Sequence, residues 1–163
     1  MSQNPKVVWM RAEEALKEPI RYAGCGLDDI WLASGYETEV VDGEPSLMVR
    51  DLDGLHVAIG RYLTQRKKIL SGKEIRFLRL QMDLTQSGLA RLVGCDAQQI
   101  ARYEKGHNKM PGPVDRLLRM LYREHLKDPI FVQEFLAMVD DMDSRMTDRQ
   151  VFDVTPEGWK TAA

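Results

Sequence analysis

The chain has 163 residues, 44% of them hydrophobic and 29% charged, which excludes a disordered segment and fits one ordinary domain or two small ones. No apolar run approaches the roughly 20 residues needed to cross a bilayer, and Met1-Ser2-Gln3-Asn4-Pro5 lacks the basic-then-apolar order of a secretory leader, so no membrane partner and a cytoplasmic location are expected. The net charge of −2 hides a segregation: residues 1–60 carry −6, residues 61–127 carry +9 and residues 128–163 carry −5, which sets a segment suited to a polyanion between acidic flanks.

In chain order, residues 6–18 read as a short helix with Val8, Ala12, Ala15 and Leu16 on one side, ended by Pro19. A small antiparallel sheet is expected over roughly 29–51. Ile30-Trp31-Leu32-Ala33 is a short apolar run, Glu37–Val41 leads into the turn pair Asp42-Gly43, and Ser46–Val49 returns. Leu55, Ile59, Tyr62 and Leu63 recur at helical spacing, which predicts an amphipathic helix over 53–69. Ser71, with Glu74 three residues on, has the form of a capping box opening a helix to about Met82. Thr85 caps a helix over 86–93 that Gly94 closes, and Asp96 caps another over 97–104 that ends at Lys105-Gly106. Pro113 sits near the start of a helix over 113–126. Asp128-Pro129 opens a helix over 129–142, whose stripe of Ile130, Phe131, Phe135, Leu136, Val139 and Met142 is assigned mostly to the core. The polar stretch from Asp143, with an isolated Val151-Phe152 and Trp159, reads as a loosely ordered tail.

Residues 72–111 make one unit: two short helices joined by a tight turn. Ala90 is the small residue where they meet, with Leu89, Val93 and Ile100 between them and Tyr103 on the face of Ile100. Gly94 suits a turn position that wants positive φ. Ala97, Gln98, Gln99, Ala101 and Arg102 then point outward. Those types fit a major groove: Gln pairs bidentately with adenine, Arg with guanine, and Ala touches a thymine methyl. Candidate base contacts are Ala97, Gln98, Gln99 and Arg102. Candidate phosphate contacts are Gln86 at a helix start and Lys73, Arg76, Lys105, His107, Asn108 and Lys109 in flanking helix and loop.

The pattern Ile75-Arg76, Leu80, Leu84-Thr85-Gln86, Leu89-Ala90, Gly94, Ile100, Tyr103-Glu104-Lys105-Gly106 and Pro111 resembles the phage-repressor-like (XRE-type) helix-turn-helix family over about a third of the chain. That resemblance implies a compact lambda-repressor-like bundle of five helices binding double-stranded DNA as a homodimer, with Gln86 and positions 97, 98 and 102 at the DNA. Ala97 departs from the polar residue often found at its position. The wider layout, with Arg102–Gly106 followed by Leu117-Leu118-Arg119-Met120-Leu121, is similar to the antitoxins of the MqsA type. Members of that family bind zinc through paired cysteines in an N-terminal domain, contact a toxin there and repress their own operon. This chain lacks the pairs, so the resemblance implies no zinc.

The remaining reactive residues point elsewhere. Cys25 and Cys95 lie 70 positions apart without a CxxC pair, and His56, His107 and His125 are scattered, so neither a disulfide framework, a metal site nor a cofactor is expected. Gly24-Cys25-Gly26 has no neighbouring histidine base and reads as a turn, and Cys95 as a small filler. Glu13-Glu14 and Asp140-Asp141 are adjacent on helices and cannot face each other as acid and base. No enzyme is expected.

The fold class expected is α+β, mainly α: a small N-terminal antiparallel β region, then the five-helix bundle. Residues 1–70 would make a β-containing dimerisation or partner region with a linking helix, 71–143 the DNA-binding domain and 144–163 the tail. The function expected is a transcriptional regulator, a repressor binding a palindromic operator as a homodimer. The alternative is an antitoxin that holds a toxin protein through its acidic segments and autoregulates its operon.

Overall fold

The computed structural model describes residues 18–67, 69–128, 132–141 and 149–162. The helix expected over 6–18 lies outside them save for its last residue. The architecture is mixed α and β with helices dominant. In order it contains β1 (Ile20–Arg21), β2 (Ile30–Leu32), β3 (Tyr36–Val41), β4 (Glu44–Val49), α1 (Leu52–Gln65), α2 (Gly72–Gln81), α3 (Gln86–Val93), α4 (Ala97–Glu104), α5 (Gly112–His125), α6 (Val132–Asp141), β5 (Gln150–Thr155) and β6 (Gly158–Thr161). Two compact units result. One gathers Asp29–Arg50 with the described parts of Met1–Tyr22 and Arg149–Ala163, and the other gathers Ala23–Asp28 with the described parts of Asp51–Asp148.

The β unit corrects two expectations. First, the segment read as a loosely ordered tail forms β5 and β6, which complete a four-stranded sheet in the order β1-β2-β5-β6. Phe152 and Trp159 are its buried anchors, alongside Ile30 and Leu32. Second, the strands of 29–51 do not share one antiparallel sheet. β2 pairs antiparallel with β1 and parallel with β5, Leu32 lying opposite Phe152, while β3 and β4 form a separate hairpin. A parallel pair needs a long crossover, and here all the described helices lie in sequence between the two strands. The hairpin turn is Asp42-Gly43, both at positive φ (52° and 84°), the conformation that matches strand twist. At its base Gly35 faces the Trp159 ring, where a Cβ would come within 2.6 Å of Cη2. The Trp159 indole donates to the Arg50 carbonyl at 3.2 Å.

In the helical unit, α1 packs against α2 and α5, α2 and α3 each pack against α4 and α5, and α6 packs on α5. Leu55, Ile59 and Leu63, one stripe of α1, are fully buried with Leu78, Leu89, Ile100 and Leu118. Burying each of these stabilises by about 1.5–3 kcal/mol relative to exposure. α2 opens with the full capping box: Ser71 Oγ accepts from Glu74 N and the Glu74 carboxylate accepts from Ser71 N. The same carboxylate pairs with the buried Lys67 ammonium. Arg119 of α5 is buried, bridged to Asp115, and donates to the carbonyls of Leu63, Thr64 and Lys67. It thereby satisfies the carbonyls that the end of α1 leaves open. Along α6, Phe135 is buried while Val132 and Leu136 are exposed, so only part of the stripe assigned to the core reaches it. Ile130 and Phe131 lie outside the described residues.

Candidate nucleic-acid interface

Each boundary of the α3–α4 pair is fixed by a local bond. Thr85 Oγ1 accepts from Gly88 N at 2.9 Å and starts α3. Gly94, at φ 77° and ψ 34°, ends it, and both Gly94 N and Cys95 N bond back to the Ala90 carbonyl. That left-handed turn carries a penalty of roughly 1–2 kcal/mol for any residue with a Cβ, so a glycine there sets the angle at which the chain leaves α3. Asp96 Oδ1 then accepts from Gln99 N at 2.8 Å and starts α4. At its far end, Gly106 N bonds to the Tyr103 carbonyl and His107 N to the Arg102 carbonyl, with Gly106 at φ 73°. This is a Schellman closure, and it fixes the exit of the loop carrying His107, Asn108 and Lys109.

Eight residues of α4 make a rod about 12 Å long, and its diameter with side chains, about 10–12 Å, is one that a major groove about 12 Å wide admits. Ile100 and Tyr103 are buried on its inner side, with Leu89 and Ala90 of α3 buried opposite. Gln98 and Arg102, four residues apart, are exposed on its outer side. Ala97, Gln99 and Ala101 flank them and are half-buried. Val93, expected as filler, is half-buried.

The candidate phosphate residues lie on α2, at the start of α3 and in the loop that follows α4. Arg76, Lys105, His107, Asn108 and Lys109 are exposed. Lys73 is exposed too, but its ammonium is held by both Asp28 oxygens at 2.7 Å. Gln86 is half-buried, and its amide donates to Glu104 Oε2 at 2.8 Å. Gly72 allows α2 to begin against the end of α4: a Cβ there would lie 2.3 Å from the Glu104 carbonyl oxygen. Lys73 and Lys105 are thereby brought to the same end of the unit.

Sequence reasoning missed the residue that binds these parts. Arg79 is buried, and its guanidinium donates to both Glu104 oxygens and, at 2.7 Å, to the Leu84 carbonyl. The signal was present in the spacing. Arg79 falls four residues after Ile75, on the buried face of α2, where an arginine requires a carboxylate. The two thiols, Cys25 and Cys95, are free and half-buried, and burial pushes both above the ordinary cysteine range.

Two helices, a glycine-set turn and an exposed polar rod define a helix-turn-helix. Residues 75–115 match the family model described as helix-turn-helix, so this part of the chain is one. The chain is similar to a Pyrococcus horikoshii protein named as an HTH-type transcriptional regulatory protein, at 27% identity over 130 residues. That match covers 79% of this chain and 38% of the relative, so the chain spans well under half of the relative's length. No solved structure matches the chain. Among the described residues no helix is long and apolar enough to cross a membrane.

Proposed function

We propose that the protein is a sequence-specific DNA-binding transcriptional regulator that lays α4 in the major groove. The observation that carries this reading is the orientation of α4: Gln98 and Arg102 exposed, Ile100 and Tyr103 buried, in a segment that matches the helix-turn-helix family. The name borne by the Pyrococcus horikoshii relative supports it. Gln98, Gln99 and Arg102 read base edges, with Ala97 beside them against a thymine methyl. Gln86, Lys73, Arg76, Lys105, His107, Asn108 and Lys109 hold phosphates and set the register. The helices act as a lambda-repressor-like bundle, and two copies of the chain read the half-sites of a palindromic operator about 34–36 Å apart. Occupying a promoter in this way represses it.

Selection of bound sequences from a random duplex pool tests the proposal. The expected result is a two-fold symmetric motif whose affinity falls steeply with salt as phosphate-bound counterions are released. A pool that shows no enrichment overturns the reading, and an asymmetric motif overturns the homodimer.

A further inference from the structure

Gln99 differs from its neighbour Gln98 in having its side chain tethered. Its amide Nε2 donates to the Tyr103 hydroxyl at 3.2 Å, across one turn of α4. Tyr103 is itself buried, at 4% exposure, so the phenol is a fixed post rather than a second mobile group. The backbone of Gln99 is pinned as well, through the Asp96 cap. A glutamine amide has two N–H donors and one carbonyl acceptor. With one N–H spent on Tyr103, the carbonyl Oε1 and the second N–H remain for a partner.

We propose that Tyr103 is a positioning residue for base readout, holding the Gln99 amide so that it presents one acceptor and one donor in a set order to adenine. This rests on the DNA-binding reading above. Adenine offers N6–H as donor and N7 as acceptor in the major groove, whereas guanine offers two acceptors and thymine one acceptor and a methyl. A pinned amide matches adenine and leaves its carbonyl unmatched on guanine or thymine, and an unmatched buried acceptor is costly. An amide released from the phenol turns over and adapts to more than one base. Tyr103 touches no DNA in this scheme; it acts through Gln99.

The test measures relative affinities of the full chain for operator variants carrying each base pair at every position. Y103F is expected to reduce discrimination at one position of each half-site by about 2- to 10-fold, the net value of one hydrogen bond, while preferences elsewhere hold. Q99A is expected to lose preference at that same position, and Y103F added to Q99A to change nothing further. Q99E, whose carboxylate would reverse the bond by accepting from the phenol and offers no donor, is expected to move the preference there from adenine to cytosine. Q99E locates the Gln99 contact, and Y103F is compared with the wild type at a temperature where both are folded, so that a change confined to that position reports the tether. The inference is overturned if Y103F leaves every preference unchanged or weakens all sites equally, if Y103F and Q99A act at different positions, or if Q99E still prefers adenine. In those cases the wild-type motif stands and DNA binding with it. A wild-type chain that enriches no sequence overturns both.

Discussion

Arg79 and Glu104 meet in a two-bond fork, Nε to Oε1 at 2.5 Å and Nη2 to Oε2 at 3.1 Å, with side chains 8% and 5% exposed. The fork joins α2 to the last residue of α4. Through Gln86 it also reaches the start of α3, and through the Leu84 carbonyl the loop between α2 and α3. One carboxylate therefore fixes three elements of the helix-turn-helix. Removing one member of a buried pair leaves an uncompensated charge, which costs about 3–5 kcal/mol. Arg79→Ala is expected to destabilise by that amount in urea unfolding. Replacing both members together, R79M with E104L, is expected to cost less than R79A alone. An Arg79→Ala loss below about 1 kcal/mol would show that the fork is dispensable.

Gly72 and Gly112 both lie at the first position of a helix and respond oppositely to the same change. At Gly72 a Cβ would stand 2.3 Å from the Glu104 carbonyl oxygen and 2.7 Å from that of Tyr103, backbone atoms that cannot swing aside. At Gly112 the nearest atom is Arg116 Nη1, at 3.9 Å, the end of a flexible chain. Gly72→Ala is expected to destabilise by about 1–3 kcal/mol through overpacking. Gly112→Ala is expected to be neutral or to stabilise by up to about 1 kcal/mol through helix propensity. Because the atoms displaced in Gly72→Ala belong to the end of α4, that variant should also bind operator DNA more weakly at temperatures where it remains folded. Equal urea midpoints for the two variants would refute the close approach.

Lys73 and Asp28 form an exposed pair that competes with the proposed phosphate contact. Such pairs contribute about 0–1 kcal/mol, so opening this one lowers DNA affinity by at most about 5-fold. Asp28→Asn is expected to raise affinity about 2- to 5-fold at low salt, with the gain shrinking as salt screens it. The control is Lys73→Ala, in whose background Asp28→Asn should do nothing. A gain that persists without Lys73 would mean that Asp28 acts by general repulsion of the duplex.

The helix-turn-helix was legible because its boundaries are local. Ser71 with Glu74, Thr85, Gly94 and Asp96 each fix a helix end through bonds to residues within five positions, so their order in the chain carries their geometry. The buried face of α4 was equally legible from the spacing of Ile100 and Tyr103. The C-terminal strands were not. Phe152 and Trp159 gain their burial from partners such as Leu32, 120 residues away from Phe152, and a parallel pairing across that distance leaves no local pattern. Arg79 and Arg119 hid for another reason: residue types that ordinarily face water are buried here, each compensated by a carboxylate on its own or another helix. The Asp28 partner of Lys73 comes from a loop 45 positions away and changes what a basic residue near the rod can do without altering its exposure.

Tyr122 of α5 lies against Gly60 of α1, where a Cβ would come within 2.0 Å of the phenol oxygen. The phenol is buried and, among the described residues, its hydroxyl has no hydrogen-bond partner. Burial is the main cause that pushes its pKa up to about 12; Arg61 opposes the rise and Asp128 adds to it. A folded-state value above the unfolded value of about 10 means that the neutral phenol's contribution is intact below pH ~10 and is lost as pH rises towards ~12. Tyr122→Phe removes both the orphan hydroxyl and the ionisation. The variant is expected to be as stable as the wild type at pH 7, or more stable by up to about 1–3 kcal/mol, since a buried donor without a partner is costly. Between pH 10 and 12 the wild type should lose stability that the variant keeps, and urea titrations at pH 7 and at pH 11 measure both effects. A variant that unfolds more readily at pH 7, with the same alkaline decline as the wild type, would show that the hydroxyl has a bonding partner and that other groups cause the decline.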